Sequence, residues 1–171
     1  MEYRNRNHQH DFDDGLDYSP LVISLCKIFE IEINLSLVHW FRKYLNIEMP
    51  TYFKKHKQDD LEYKLTPSSY LVNNPRPIDF NKGHGNKWIA PGIGESELIA
   101  QSFLNEDKLP SNINDYETLL RNWGILRQFR NKAAHTESLT KDDFNNIYSA
   151  FNTINENNIL AQMNDLKWTF K

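Results

Sequence analysis

Between residues 20 and 47 apolar side chains return at intervals of three and four: Val22, Cys26, Phe29, Ile33, Leu37, Trp40, Tyr44 and Ile47. That period is the buried seam of an amphipathic helix. Ser19 followed by Pro20 supplies an N-cap and a first helical residue that needs no amide hydrogen. At 1.5 Å per residue the helix spans roughly 40 Å. The opposite side carries Glu32, His39, Arg42, Lys43 and Asn46, while Leu21, Leu25, Ile31 and Leu35 widen the apolar surface past a single seam. Such a helix is expected to be covered on more than one side. Met49-Pro50 ends it.

Periodicity then lapses over residues 51–94, where five prolines counted from Pro50 and four glycines accompany turn sequences such as Asn73-Asn74-Pro75-Arg76-Pro77 and Gly83-His84-Gly85-Asn86. A connection this long is either a functional loop or holds short elements that pattern alone does not place. It contains the basic run Lys54-Lys55-His56-Lys57, which the following Asp59-Asp60 marks as a solvated charge cluster more than a binding patch. His84 reads as an ordinary loop histidine. Helical spacing resumes at 95–105, with Leu98, Ile99, Phe103 and Leu104 inward, and again at 115–134, capped by Asn114 or Asn112. Thr140 with Asp143 resembles a capping box for a last long helix carrying Phe144, Ile147, Tyr148, Phe151 and Ile154. A polar run at 155–158 precedes a short terminal segment. The fold class expected is all-α: an up-and-down helical bundle with a long irregular insertion (51–94) after the first helix, residues 19–171 forming one domain behind a polar tail at 1–18.

Composition narrows the function classes. The 171 residues are 39% apolar, carry a net charge of −3 and have a mean hydropathy of −0.70, so no global field draws the chain to nucleic acid. No apolar run approaches the ~18 residues that span a bilayer, and the polar N-terminus is not a signal peptide, which makes a cytoplasmic location the expectation. The lone Cys26 lies in an apolar run and is expected to be a packed, reduced thiol. His8, His10, Asp11, Asp13 and Asp14 form a weak metal-ligand cluster in the tail; its bland reading as a mobile polar segment is the stronger one. Neither a Walker glycine loop, a zinc-ligand cysteine set nor a Gly-x-Ser-x-Gly elbow occurs, and no metal or cofactor is called for.

The chemistry concentrates in Arg130-Asn131-Lys132-Ala133-Ala134-His135. On its helix the apolar stripe Tyr116, Leu119, Leu120, Trp123, Leu126, Ala133 and Ala134 is centred on the direction of Arg130. A guanidinium facing the core requires an anion, carboxylate or phosphate, because it does not lose its proton. Glu30, beside the seam of the first helix, is the candidate carboxylate; its alternative partners are Lys27 and Asn34 on its own helix. His135 sits at the edge of the same stripe, and Ile125 with Phe129 form a second apolar face suited to another helix or another subunit.

The six residues resemble the Arg-Asn-x-x-x-His motif of HEPN (higher eukaryotes and prokaryotes nucleotide-binding) domains, and the helix at 20–32 is similar to the opening helix of some bacterial members. Together these cover about two fifths of the chain. The resemblance implies a helical bundle that dimerises and acts as a metal-independent endoribonuclease in toxin–antitoxin, antiviral or stress systems, with RNA as substrate and an antitoxin or regulatory protein as a further partner. Arg130, Asn131 and His135 match the motif as catalytic candidates, Glu30 supports them, and Arg127 and Lys132 are candidates for RNA contact. Arg130 would clamp phosphate, His135 transfer protons, and Asn131 fix the imidazole or bind the sugar. Because residues five apart diverge by about 140° on a helix, a second subunit is expected to complete the site. The competing reading is a noncatalytic helical module for RNA, nucleotide or protein binding and dimerisation, with Arg130 structural and His135 a helix-terminal residue.

Overall fold

The computed structural model describes residues 15–48, 63–135 and 138–170. Helices dominate: α1 (Ser19–Ile33), α2 (His39–Tyr44), α3 (Ile93–Asn105), α4 (Tyr116–Ala134), α5 (Lys141–Glu156) and α6 (Ile159–Trp168). They form an all-α bundle in which α4 packs on α1, α3 and α5, and α1 also meets α5 and α6. Val22, Phe29, Leu119, Trp123, Ile147 and Ile154 are fully enclosed where these helices meet. The Phe29 and Trp123 rings lie edge to face, 5.9 Å apart. Each such side chain contributes about 1.5–3 kcal/mol by leaving water. The histidine and aspartate cluster of the tail and the Lys54–Lys57 run lie outside the described residues.

The first helix departs from its expected phase. A π-helical turn at Asn34–Val38 joins α1 to α2, and one extra residue in a turn advances the helical phase by about 100°. The buried seam therefore runs Val22, Cys26, Phe29, Ile33, Leu37 and then Phe41 in place of Trp40. Tyr44, expected on the seam, is 47% exposed, whereas Arg42, expected on the polar face, is 1% exposed. The helix also stops before Met49-Pro50. Asn46 takes φ 57, and the amides of Asn46 and Ile47 return to the carbonyls of Lys43 and Arg42 at 3.0 and 2.9 Å. This is a Schellman end with asparagine in the left-handed position.

At the start of α1 the N-cap position is Tyr18, whose side chain makes no cap bond, and the carboxylate that serves the helix start is that of Asp17, one residue earlier, in place of the Ser19 hydroxyl. Its carboxylate accepts from Ser19 N and Oγ at 2.9 and 2.6 Å and from Leu139 N at 3.1 Å. These bonds, led by the Ser19 hydroxyl, hold its carboxyl below the usual carboxylate range. Since Tyr18 N also donates to Leu139 O at 3.0 Å, the start of α1 is fastened to the segment leading into α5, and the packed unit takes in Asp17 and Tyr18. Asp115, beside the expected Asn114, caps α4 by accepting from Thr118 N at 2.9 Å. The Thr140 and Asp143 capping box forms as expected.

The insertion holds more order than its composition suggested. β1 (Lys64–Leu65) pairs antiparallel with β2 (Ile78–Asp79), and β3 (Gly83–His84) with β4 (Lys87–Trp88). Gly85, at φ 60, occupies the first position of the two-residue hairpin loop with Asn86. Phe80 is fully buried and meets Phe41 at 5.5 Å. Arg42 fastens this region to the bundle: Nη1 donates to Phe80 O at 2.5 Å and Asn81 Oδ1 at 3.3 Å, and Nη2 to Glu48 O at 2.7 Å. The guanidinium also lies 4.8 Å from the Trp88 ring centre. Burial pulls the Arg42 pKa down to about 10, with Asp79 opposing, so it stays charged at neutral pH. Beside it, His39 packs against Trp88 and Phe170; burial, reinforced by Arg42, pushes its pKa down to about 4, and the imidazole is neutral at pH 7.

Candidate active site at the end of helix α4

Helix α4 buries Tyr116, Leu119, Leu120, Trp123, Leu126 and Ala133, six of the seven stripe positions, while Ala134 is exposed. The stripe thus runs out to the surface in its last turn, and Arg130 is half-buried there instead of enclosed. Asn131 is exposed. His135 is the C-cap, exposed, with φ −101 and ψ 29; its amide is shared between the carbonyls of Asn131 and Lys132 at 3.2 and 3.1 Å. That bifurcated bond keeps His135 close to helical phase. The divergence of about 140° from Arg130 therefore persists. The negative end of the helix dipole favours the cations gathered here. Lys132, half-buried, sets its ammonium 5.0 Å from the Phe129 ring centre.

Glu30 takes its intrahelical partner, Lys27, at 3.3 Å. Among the described residues no carboxylate lies within ion-pair distance of Arg130. Arg130 and Glu30 instead both act electrostatically on Cys26, whose thiol donates to Leu126 O at 3.4 Å inside the α1–α4 contact. Burial pushes that thiol's pKa up to about 11; Arg130 opposes the rise and Glu30 adds to it. Cys26 is the packed side chain expected.

Arg127 is the arginine that has a carboxylate. Its Nε donates at 2.5 Å to Glu97 on α3, whose side chain is 5% exposed against 38% for Arg127. Gln101 Nε2 donates to the other Glu97 oxygen at 3.2 Å. Desolvation raises the Glu97 pKa, and the hydrogen bond and charge of Arg127 oppose the rise. Sequence reasoning missed Glu97 because it falls next to the inward residues Leu98 and Ile99. The available signal was a glycine on each helix at the crossing: a Cβ on Gly124 would stand 3.3 Å from Glu97 Oε1, and one on Gly94 would stand 3.0 Å from Arg127 Cδ.

Among the described residues no group of three or more histidines, cysteines or carboxylates is placed to hold a metal ion. Nor is any described helix long and apolar enough to cross a membrane. The C-terminal end of α4 thus carries a half-buried guanidinium, an exposed amide and an exposed imidazole within six residues, the guanidinium and imidazole pointing in different directions. No model of a known protein family, no characterised protein and no solved structure matches this chain.

Proposed function

We propose that this chain is a HEPN-type, metal-independent endoribonuclease, with Arg130, Asn131 and His135 as its catalytic residues and Arg127 and Lys132 as flanking RNA contacts. One observation carries the reading. Arg130 is half withdrawn from water at the end of α4 with no carboxylate partner among the described residues, next to an exposed histidine. A guanidinium in that position has its planar donors available to an external anion, and phosphate matches them bidentately.

The reaction needs three things: removal of the proton on the 2′-hydroxyl, compensation of charge on the phosphoryl oxygens, and protonation of the departing 5′-oxygen. His135 supplies the proton transfer. Arg130 binds the phosphoryl oxygens, and Asn131 orients the sugar or the imidazole. The 2′-oxygen attacks phosphorus, the bond to the 5′-oxygen breaks, and the products are a 2′,3′-cyclic phosphate and a 5′-hydroxyl. Because the two side chains diverge on one helix, a second copy completes the site, Arg130 of one facing His135 of the other. The exposed Leu21 and Ile28 on α1, Leu35 in the π turn that follows it, and the half-buried Ile125 and Phe129 on α4 offer apolar surface for such a partner. An antitoxin or regulatory protein restraining the nuclease in a defence or stress system fits the same reading.

The test incubates the protein with mixed RNA in excess chelator and identifies the new ends. Cyclic phosphate and 5′-hydroxyl termini are expected. Intact RNA, or fragments ending in 3′-hydroxyls, overturns the proposal.

A further inference from the structure

We infer that Glu97 is a positioning residue that fixes Arg127 as a second phosphate contact, for the RNA phosphate adjacent to the one held by Arg130; this rests on the ribonuclease reading above. Taking Arg127 as the origin on α4, Arg130 lies at about −60°, Asn131 at about +40° and His135 at about +80°. Arg127 therefore falls inside the arc spanned by the motif, one turn before it. A single-stranded substrate laid along this end of α4 crosses Arg127 as it reaches the catalytic residues.

The pairing geometry leaves Arg127 able to do this. Glu97 engages only its Nε, so the two terminal amino groups, with four N–H donors, have no protein acceptor among the described residues. The arginine side chain is 38% exposed, whereas the carboxylate that holds it is 5% exposed and tied on its other oxygen by Gln101. A carboxylate held on its other oxygen by Gln101 restrains the direction in which the Arg127 Nε–H points. An ion pair with one partner this exposed adds little stability, so the arrangement is better accounted for by orientation than by stabilisation. Gly94 and Gly124 supply the room: the Arg127 stem passes over one and the Glu97 carboxylate over the other.

The experiment measures binding of a 2′-O-methyl RNA, which lacks the attacking hydroxyl, by fluorescence anisotropy across a salt series, with melting temperature recorded for each variant. Arg127→Ala is expected to weaken binding about tenfold, the loss of one charge-assisted contact, and to make the log–log salt slope shallower by about 0.7, the single-strand value for one phosphate. Arg127→Lys keeps the charge without the fork; it retains the slope and still binds severalfold more weakly. Glu97→Ala weakens binding severalfold, and Glu97→Gln, which still accepts from Nε, restores most of it. Gly94→Ala perturbs Arg127 while leaving Glu97 intact, and it weakens binding even if Glu97→Ala does not fold. Wild-type binding with an unchanged affinity and slope in Arg127→Ala overturns the inference and leaves the nuclease reading standing. The same holds if Arg127→Ala is impaired but Gly94→Ala and every folded Glu97 variant bind like wild type. Wild type that neither binds nor cuts RNA removes the reading on which the inference rests.

Discussion

Replacing His135 with alanine is expected to slow RNA cleavage by about 10²–10⁴-fold, the usual contribution of a positioned general acid or base, with the melting temperature close to that of wild type. The second half follows from its place. His135 is an exposed C-cap outside the bundle core, so truncation opens no cavity. Arg130→Ala is expected to cost about 10²–10³-fold through lost stabilisation of phosphoryl charge. It too should fold, because no described carboxylate pairs with Arg130 and none is left orphaned by its removal. Had Glu30 enclosed Arg130, the same variant would have stranded a charge at the α1–α4 contact and confounded activity with stability. Initial rates in chelator, measured beside thermal melts, check both variants. Unchanged rates in both would remove these residues from the chemistry.

The largest expected effect on the fold belongs to Arg42, which the helical period alone placed on the solvent face. Arg42→Met roughly preserves the stem but leaves Phe80 O and Glu48 O without their guanidinium donors and removes the cation beside Trp88. Loss of these charge-assisted bonds, the one to Phe80 O buried and the one to Glu48 O partly so, is expected to cost about 3 kcal/mol, which lowers the melting temperature of a chain this size by about 6–12 °C. Arg42→Lys, which keeps charge but not the planar fork, should recover only part of that. Thermal melting and urea titration measure it. A shift within about 2 °C for Arg42→Met, far below the ~3 kcal/mol expectation, would mean that the insertion is held by its apolar contacts, Phe80 on Phe41 foremost.

Arg42 also marks what the sequence concealed. Apolar spacing located α1, α3, α4 and α5 and most of the α4 inward face, because those helices bury one continuous stripe and their period survives tertiary packing. The π turn at Asn34–Val38 leaves no mark in the pattern of spacings, so Trp40 and Tyr44 were assigned inward and Arg42 outward, whereas Lys43, Asn46 and Ile47 lie on the sides expected of them. Strands of two residues carry no measurable alternation, which is why the ladders of the insertion were invisible while the Gly85-Asn86 turn was not. The motif at Arg130, Asn131 and His135 was legible as chemistry because it is contiguous. The partner of Arg127 was not, since Glu97 meets it only through the way α3 and α4 approach one another; for Glu30 the pattern left Arg130 and its own helix both open, and the pair that forms is the intrahelical one with Lys27. Asp17 is a similar case: three amide and hydroxyl donors from two distant segments converge on it, and local capping rules favoured Ser19.

The central claim, that Arg130 of one copy works with His135 of another, is tested most directly by mixing two inactive variants. Arg130→Ala and His135→Ala are unfolded together, refolded at equal concentration, and assayed on RNA in chelator. Random pairing makes half of the dimers mixed, each with one intact site of two, so activity should return to about a quarter of the wild-type rate in a twofold-symmetric assembly. Folded mixtures that stay as inactive as the separate variants, with wild type active beside them, would contradict it.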